Sequence, residues 1–95
     1  IAYICNRNGS NRSWTWKKLC HEIDLFGKAC IAVGASERSG VNIIGFNAPE
    51  WNIAFYGAIC ANFISAGVYT TNASDACLYV AEHSEAEIIV LEDKA

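Results

Sequence analysis

Ninety-five residues, about 10.3 kDa, allow one small domain and exclude a multidomain chain. Hydrophobic residues make up 53% and charged residues 18%, with a mean hydropathy of +0.17, which excludes a disordered segment. A net charge of −3 and a pI near 5.2 exclude a general polyanion binder, so no nucleic-acid partner is expected.

In chain order, Ala2–Cys5 reads as a short strand entering an Asn6-Arg7-Asn8-Gly9 turn, and Arg12–Trp14 as its return strand. Asn-Gly favours the positive φ that a tight hairpin requires. Thr15 is then the N-cap of a helix reaching about Val33, with Gly34 just past its end. Along it Trp16, Leu19, Cys20, Ile23, Phe26, Cys30 and Val33 recur at three- and four-residue steps, an amphipathic pattern. Gly27 interrupts this helix at a cost of about 1 kcal/mol against alanine, with no local reason. Ala35–Gly40 is a polar loop, and Val41–Phe46 a short apolar strand.

Asn47-Ala48-Pro49-Glu50 opens a second helix, with proline at the first helical position and Glu50 at the positive end of the dipole. From Trp51 to Phe63 it is apolar nearly all round, so it should be buried on several sides. Gly67–Thr71 reads as the next strand and Asn72–Asp75 as a turn, with Ser74 capping a third helix over Ala76–Ser84. Glu87–Leu91 is a last strand, closed by Glu92-Asp93. The expected fold is α/β: a parallel β-α-β-α-β layer behind a hairpin and an amphipathic helix.

Charge is segregated along this order. Residues 1–40 hold six Lys/Arg and three Asp/Glu (+3), and residues 41–95 hold one and seven (−6). The basic half, without a block of like charge, reads as solvated surface. Five cysteines in no C-x-x-C spacing point to free thiols in a reducing, cytoplasmic setting, with Cys20, Cys30, Cys60 and Cys77 on apolar faces. Three N-x-S sequons start at Asn8, Asn11 and Asn72, against roughly one expected by chance, and do not overturn that setting. No apolar stretch approaches the ~18 residues of a membrane span. The chain has no methionine and starts and stops inside patterned segments. Residues 1–95 are therefore expected to be part of a larger domain, incomplete at both ends.

In an open parallel sheet, ligands sit beyond the carboxyl ends of the strands, so the segments after Phe46, Thr71 and Leu91 are the places to search. None carries a G-x-G-x-x-G or G-x-x-x-x-G-K-[ST] pattern. Gly34 and Gly40 bracket a loop at the opposite end. Thr70-Thr71-Asn72 offers two hydroxyls and an amide, which suit either an anion contact or the turn before the next helix. Neither His21 nor His83 has a residue four positions away that would make a metal pair or an acid–base couple, and Glu82, Glu85 and Glu87 form a loose, solvated acidic run. Spacing alone therefore assigns no catalytic, cofactor-binding or metal-binding residue.

Gly45-Phe46-Asn47-Ala48-Pro49-Glu50-Trp51, Gly67-Val68-Tyr69-Thr70-Thr71-Asn72-Ala73-Ser74-Asp75-Ala76-Cys77 and Tyr79-Val80-Ala81-Glu82 resemble the acyl-CoA synthetases of the AMP-forming, adenylate-forming superfamily. The first block with Tyr69-Thr70-Thr71-Asn72 is most similar to the bubblegum-type long-chain fatty-acid ligases, and Trp14-Thr15-Trp16-Lys17 resembles the opening of that family's first helix. The resemblance runs from about Arg7 to Asp93 and implies the early part of a large N-terminal domain.

It further implies, for the whole enzyme, a fatty-acid substrate with ATP, Mg²⁺ and coenzyme A. The other implied partner is the rest of its own domain, packed on Pro49–Phe63. The family's phosphate loop, adenine and ribose contacts and catalytic lysine all lie downstream, so these residues alone should be inert. A cytoplasmic protein is implied, with peripheral attachment at the endoplasmic reticulum allowed. Asn62-Phe63 stands where the family commonly has small residues, and the Ala35–Gly40 loop also departs from the pattern. The alternatives are a small flavodoxin-like or Rossmann-like binding module, and a degenerate paralogue without catalysis.

Overall fold

The structure, a computed structural model, describes residues 1–92. The order is β1 (Tyr3–Arg7), β2 (Ser10–Trp14), α1 (Trp16–Ala32), β3 (Gly40–Ile44), α2 (Pro49–Cys60), β4 (Ile64–Val68), α3 (Ser74–His83) and β5 (Ala86–Leu91). Asp93, expected to help close β5, lies outside the described residues.

β1 and β2 form an antiparallel hairpin in which Tyr3 faces Trp14 and Arg7 faces Ser10. Its two turn residues, Asn8 and Gly9, both take positive φ (52° and 81°), the requirement of a type I′ turn. The remaining strands form one parallel sheet in the order β4-β3-β5. The chain thus returns past β3 between β4 and β5, which places α2 and α3 on opposite faces under right-handed crossovers. The α/β architecture, the parallel layer and the leading hairpin and helix all match the expectation from the sequence.

The expected helix ends largely hold. The Thr15 hydroxyl accepts from the Lys18 amide at 3.1 Å, and Gly34, at φ 85°, donates its N–H to the Ile31 carbonyl at 3.0 Å. Pro49 opens α2. The register of β4 does not hold. α2 stops at Cys60 rather than Phe63, and the strand expected over Gly67–Thr71 occupies Ile64–Val68. The reason is Asn62, at φ 71°, a left-handed residue closing a Schellman motif. Its N–H donates to the Ile59 carbonyl at 3.1 Å, and that of Phe63 to the Ala58 carbonyl at 2.9 Å. Asparagine here does the work of glycine. Ser74 is likewise not a cap: α3 begins on it, with Ala73 in the cap position making no side-chain bond.

The core lies between the sheet and α2, with α1 packed behind α2. Cys30, Val41, Ile43, Ala54, Ala58 and Phe63 form it, and Phe26, Trp51, Phe55, Ile88 and Val90 pack around it. Phe63 shares the cluster with Ala54 and Ala58, whose small side chains leave volume for its ring. Gly27 finds its reason here. A Cβ on Gly27 would sit 2.9 Å from the Gly57 carbonyl oxygen, and one on Gly57 would sit 2.8 Å from Phe26 Cδ1. The two helices cross on paired glycines, and neither position tolerates a side chain.

Of the four thiols expected on apolar faces, Cys30 is buried, Cys77 is half-buried, and Cys20 and Cys60 are exposed. The buried line of α1 runs through Leu19, Gly27 and Cys30, and Cys20 stands one step outside it. All five thiols are free, and burial pushes the Cys30 thiol up from its ordinary value.

Candidate functional site

β3 ends at Ile44, and Gly45-Phe46-Asn47-Ala48 turns the chain over the sheet's carboxyl edge into α2. Two clefts open on either side of this turn. The first, about 450 Å³, lies toward β5 and is lined by Arg7, Asn47, Glu50, Val90, Leu91 and Glu92 besides the turn itself. The second, about 430 Å³, lies toward β4 and is lined by Gly67, Val68, Tyr69 and Thr70. Gly45, Phe46, Asn47 and Trp51 line both. A parallel sheet exposes its ligand-binding edge at this end, and the cavities form where the topology predicts.

Local packing shapes each wall. A Cβ on Gly67 would lie 3.3 Å from Trp51 Cζ2, so glycine lets the indole lie against β4. Trp51 in turn stacks on Phe55, ring centres 5.5 Å apart. Phe46 is exposed at the rim. On the other side, the hairpin reaches the site through Arg7, whose guanidinium pairs with both Glu50 carboxylate oxygens at the start of α2. That pairing holds the Arg7 guanidinium further above its already high value. It also fastens the hairpin to the cleft.

The residues singled out in the sequence divide. Thr70 lines the second cleft, while Thr71 and Asn72 line neither. Asn72 instead makes the turn, donating its N–H to the Tyr69 carbonyl at 3.2 Å. His83 stacks on Tyr79 with ring centres 5.5 Å apart, and His21 is exposed on α1. Glu87 is not merely solvated. Its carboxylate accepts from the Ser36 amide at 2.9 Å and the Ser36 hydroxyl at 3.3 Å, which lowers its pKa.

Asn47, Trp51 and Arg7 were not singled out individually. The first two carry a positional signal, because they follow the strand that ends at the sheet's centre. Arg7 carries none, because 43 residues separate it from Glu50. Among the described residues no three His, Cys, Asp or Glu side chains gather as a metal-binding group, so no step through Mg²⁺ is derived from this chain.

The family model for AMP-binding enzymes matches residues 1–95. The chain belongs to the AMP-binding enzyme family. Among curated relatives, the chain is 42% identical over 94 residues to long-chain-fatty-acid–CoA ligase ACSBG2 of Xenopus laevis, covering 99% of this chain and 13% of that protein. It is 41% identical over 96 residues to long-chain-fatty-acid–CoA ligase heimdall of Drosophila melanogaster, covering 97% and 14%. These are the bubblegum-type ligases that the sequence motifs resemble. The chain thus spans about an eighth of the length of such relatives.

Two solved structures share the fold. The fatty acid AMP ligase from Legionella pneumophila superposes with a TM-score of 0.80 at 15% identity, over 93% of this chain and 16% of that one. The anthranilate CoA ligase AuaEII, solved with anthranoyl-AMP, gives 0.80 at 20% identity, over 84% and 16%.

Proposed function

We propose that this chain is the early part of the large N-terminal domain of a long-chain fatty-acid–CoA ligase. In that reaction a carboxylate oxygen attacks the α-phosphorus of ATP and pyrophosphate leaves. The thiolate of coenzyme A then attacks the acyl carbon and AMP leaves. Mg²⁺ would supply charge neutralisation at the phosphates, from a site outside these residues. The carrying observation is the 42% identity over nearly the whole chain to a ligase of that class.

The chain's own contribution is architectural. The Gly45–Ala48 turn, Trp51 and the Arg7–Glu50 pair build an edge at the carboxyl ends of the strands. The half-exposed Tyr56 and Ile59 on α2 are the strip on which the rest of the domain would pack. No residue of this segment is assigned to the chemistry, so the segment alone is inert, a piece of a cytoplasmic enzyme with reduced thiols.

A chimera tests this. Residues 1–95 replace the matching segment of the Xenopus ACSBG2 ligase, and fatty-acid-dependent ATP–pyrophosphate exchange is measured. Retained exchange is expected. A chimera that melts cooperatively yet shows no exchange, beside an active parent, overturns the reading. In parallel, calorimetry on the segment alone should detect no ATP binding tighter than millimolar.

A further inference from the structure

We propose that Asn8 is a site of spontaneous modification, where loss of its side-chain amide as ammonia releases the hairpin from the first cleft. Of the eight asparagines in the chain, Asn8 alone precedes a glycine. Asparagine is thermolabile because the backbone nitrogen of the next residue closes on its side-chain carbonyl carbon. A side chain on that next residue obstructs the closure, and Gly9 has none. Asn8, Gly9 and Ser10 are all exposed, and a Cβ on Gly9 would meet nothing within 4 Å. Among the described residues nothing bonds the Asn8 carboxamide or the Gly9 N–H, so electrophile and nucleophile are both free. Asn6 and Asn11, by contrast, hold each other at 3.2 Å, and Asn42 is buried.

The reaction needs only water. Hydroxide takes the Gly9 amide proton, and the nitrogen attacks the Asn8 Cγ. The new N–Cγ bond closes a cyclic imide, and the bond from Cγ to the side-chain nitrogen breaks. That nitrogen leaves with a proton as ammonia. Water then opens the ring at either carbonyl, with no oxidation or reduction. Opening at Cγ gives aspartate on an unaltered backbone. Opening at the main-chain carbonyl gives isoaspartate, in which the chain runs through Cγ and the α-carboxylate is left free.

Ring closure draws Asn8 out of the turn, so it proceeds when the hairpin opens locally. The fold allows that opening, because β1 and β2 pair only with each other and Ser10–Ser13 are exposed. Once formed, isoaspartate adds a methylene to a turn of two residues whose φ values, 52° and 81°, set the strand register. Arg7 then no longer faces Ser10, and its pairing with Glu50 at the cleft goes with the register. Age thus detaches the turn end of the hairpin from α2.

Nothing in this chemistry depends on the ligase reading, and its test is separate. The full chain is held in neutral and in mildly alkaline buffer and sampled by peptide mapping, with an isoaspartate methyltransferase as the probe. Ammonia release, one added negative charge and isoaspartate confined to residue 8 are expected, faster in proportion to hydroxide. The isoaspartyl chain, separated by ion exchange, should lose amide-exchange protection in β1 and β2 while α1 and α2 keep theirs. Asn8→Asp adds the charge without the methylene and should keep the hairpin protected, since Asp-Gly forms the same turn. No modification at residue 8, equal modification at the other asparagines, a hairpin still protected in the isoaspartyl chain, or an equal loss in Asn8→Asp overturns the proposal.

Discussion

The two helical layers over the sheet are built on different terms. On one face α1 and α2 interlock through Gly27 and Gly57, and five α2 residues, Pro49, Ile53, Ala54, Gly57 and Ala58, are buried. On the other face α3 buries no residue fully, and Leu78, Tyr79, Ile89 and Leu91 remain exposed. The contrast shows that an apolar composition does not decide how tightly a helix is held. What decides it is close backbone approach, which here requires two glycines facing each other. α3 is held instead by its cap. Asn42, buried in the middle of β3, donates from its amide to the Ser84 hydroxyl at 2.9 Å, and that hydroxyl donates to the Val80 carbonyl at 2.7 Å.

Breaking the tight layer should have the largest effects. Phe63→Ala empties a buried ring volume and should cost about 3–5 kcal/mol, read from urea unfolding of the full chain. Next, Gly57→Ala forces a methyl against Phe26 and the Ile23 carbonyl and should cost about 1–3 kcal/mol. A neutral result at Gly57 would show that the helix crossing is loose and remove the contrast between the layers. Thr15→Ala removes the hydroxyl that caps α1 and should cost about 1 kcal/mol in the same experiment.

At the sheet's loop end, the Glu87 pKa is depressed because the ionised carboxylate accepts from the Ser36 amide and the Ser36 hydroxyl. Its contribution is present above the unfolded glutamate value of about 4.3 and lost as pH falls through the lower folded value. Acid unfolding of Glu87→Gln should lack that component. Smallest of all, Leu78→Ser on the loose face should shift stability by no more than about 0.5 kcal/mol. Amide exchange should sharpen the same contrast, with α3 opening more readily than α1 or α2.

Much of this was legible in the sequence wherever a residue acts on its own backbone. Asn8-Gly9, Thr15, Gly34 and Pro49 each do so within a few positions, and each sits where its chemistry places it. β4 was misplaced because the apolar run carries the helical pattern through Phe63, while the stop at Asn62 depends on an asparagine adopting a conformation more often given to glycine. Gly27 could not be explained until Gly57 stood opposite it. The cleft's position followed from topology, and Asn47 and Trp51 with it. Arg7–Glu50 and Ser36–Glu87, 43 and 51 residues apart, are products of the fold and leave no local trace.

The order β4-β3-β5 has a consequence for how the chain is made. β3 is the central strand, and its partners come later: Gly40 pairs with Ile64, and Ile43 with Val90. At 5–20 residues per second, the 47 residues that follow Ile43 up to and including Val90 take roughly 2–10 s to synthesise. For that interval Val41 and Ile43, among the most deeply buried side chains of the finished fold, wait on the nascent chain with one edge of their strand unpaired. A chaperone that shields short aliphatic strands has its natural window there.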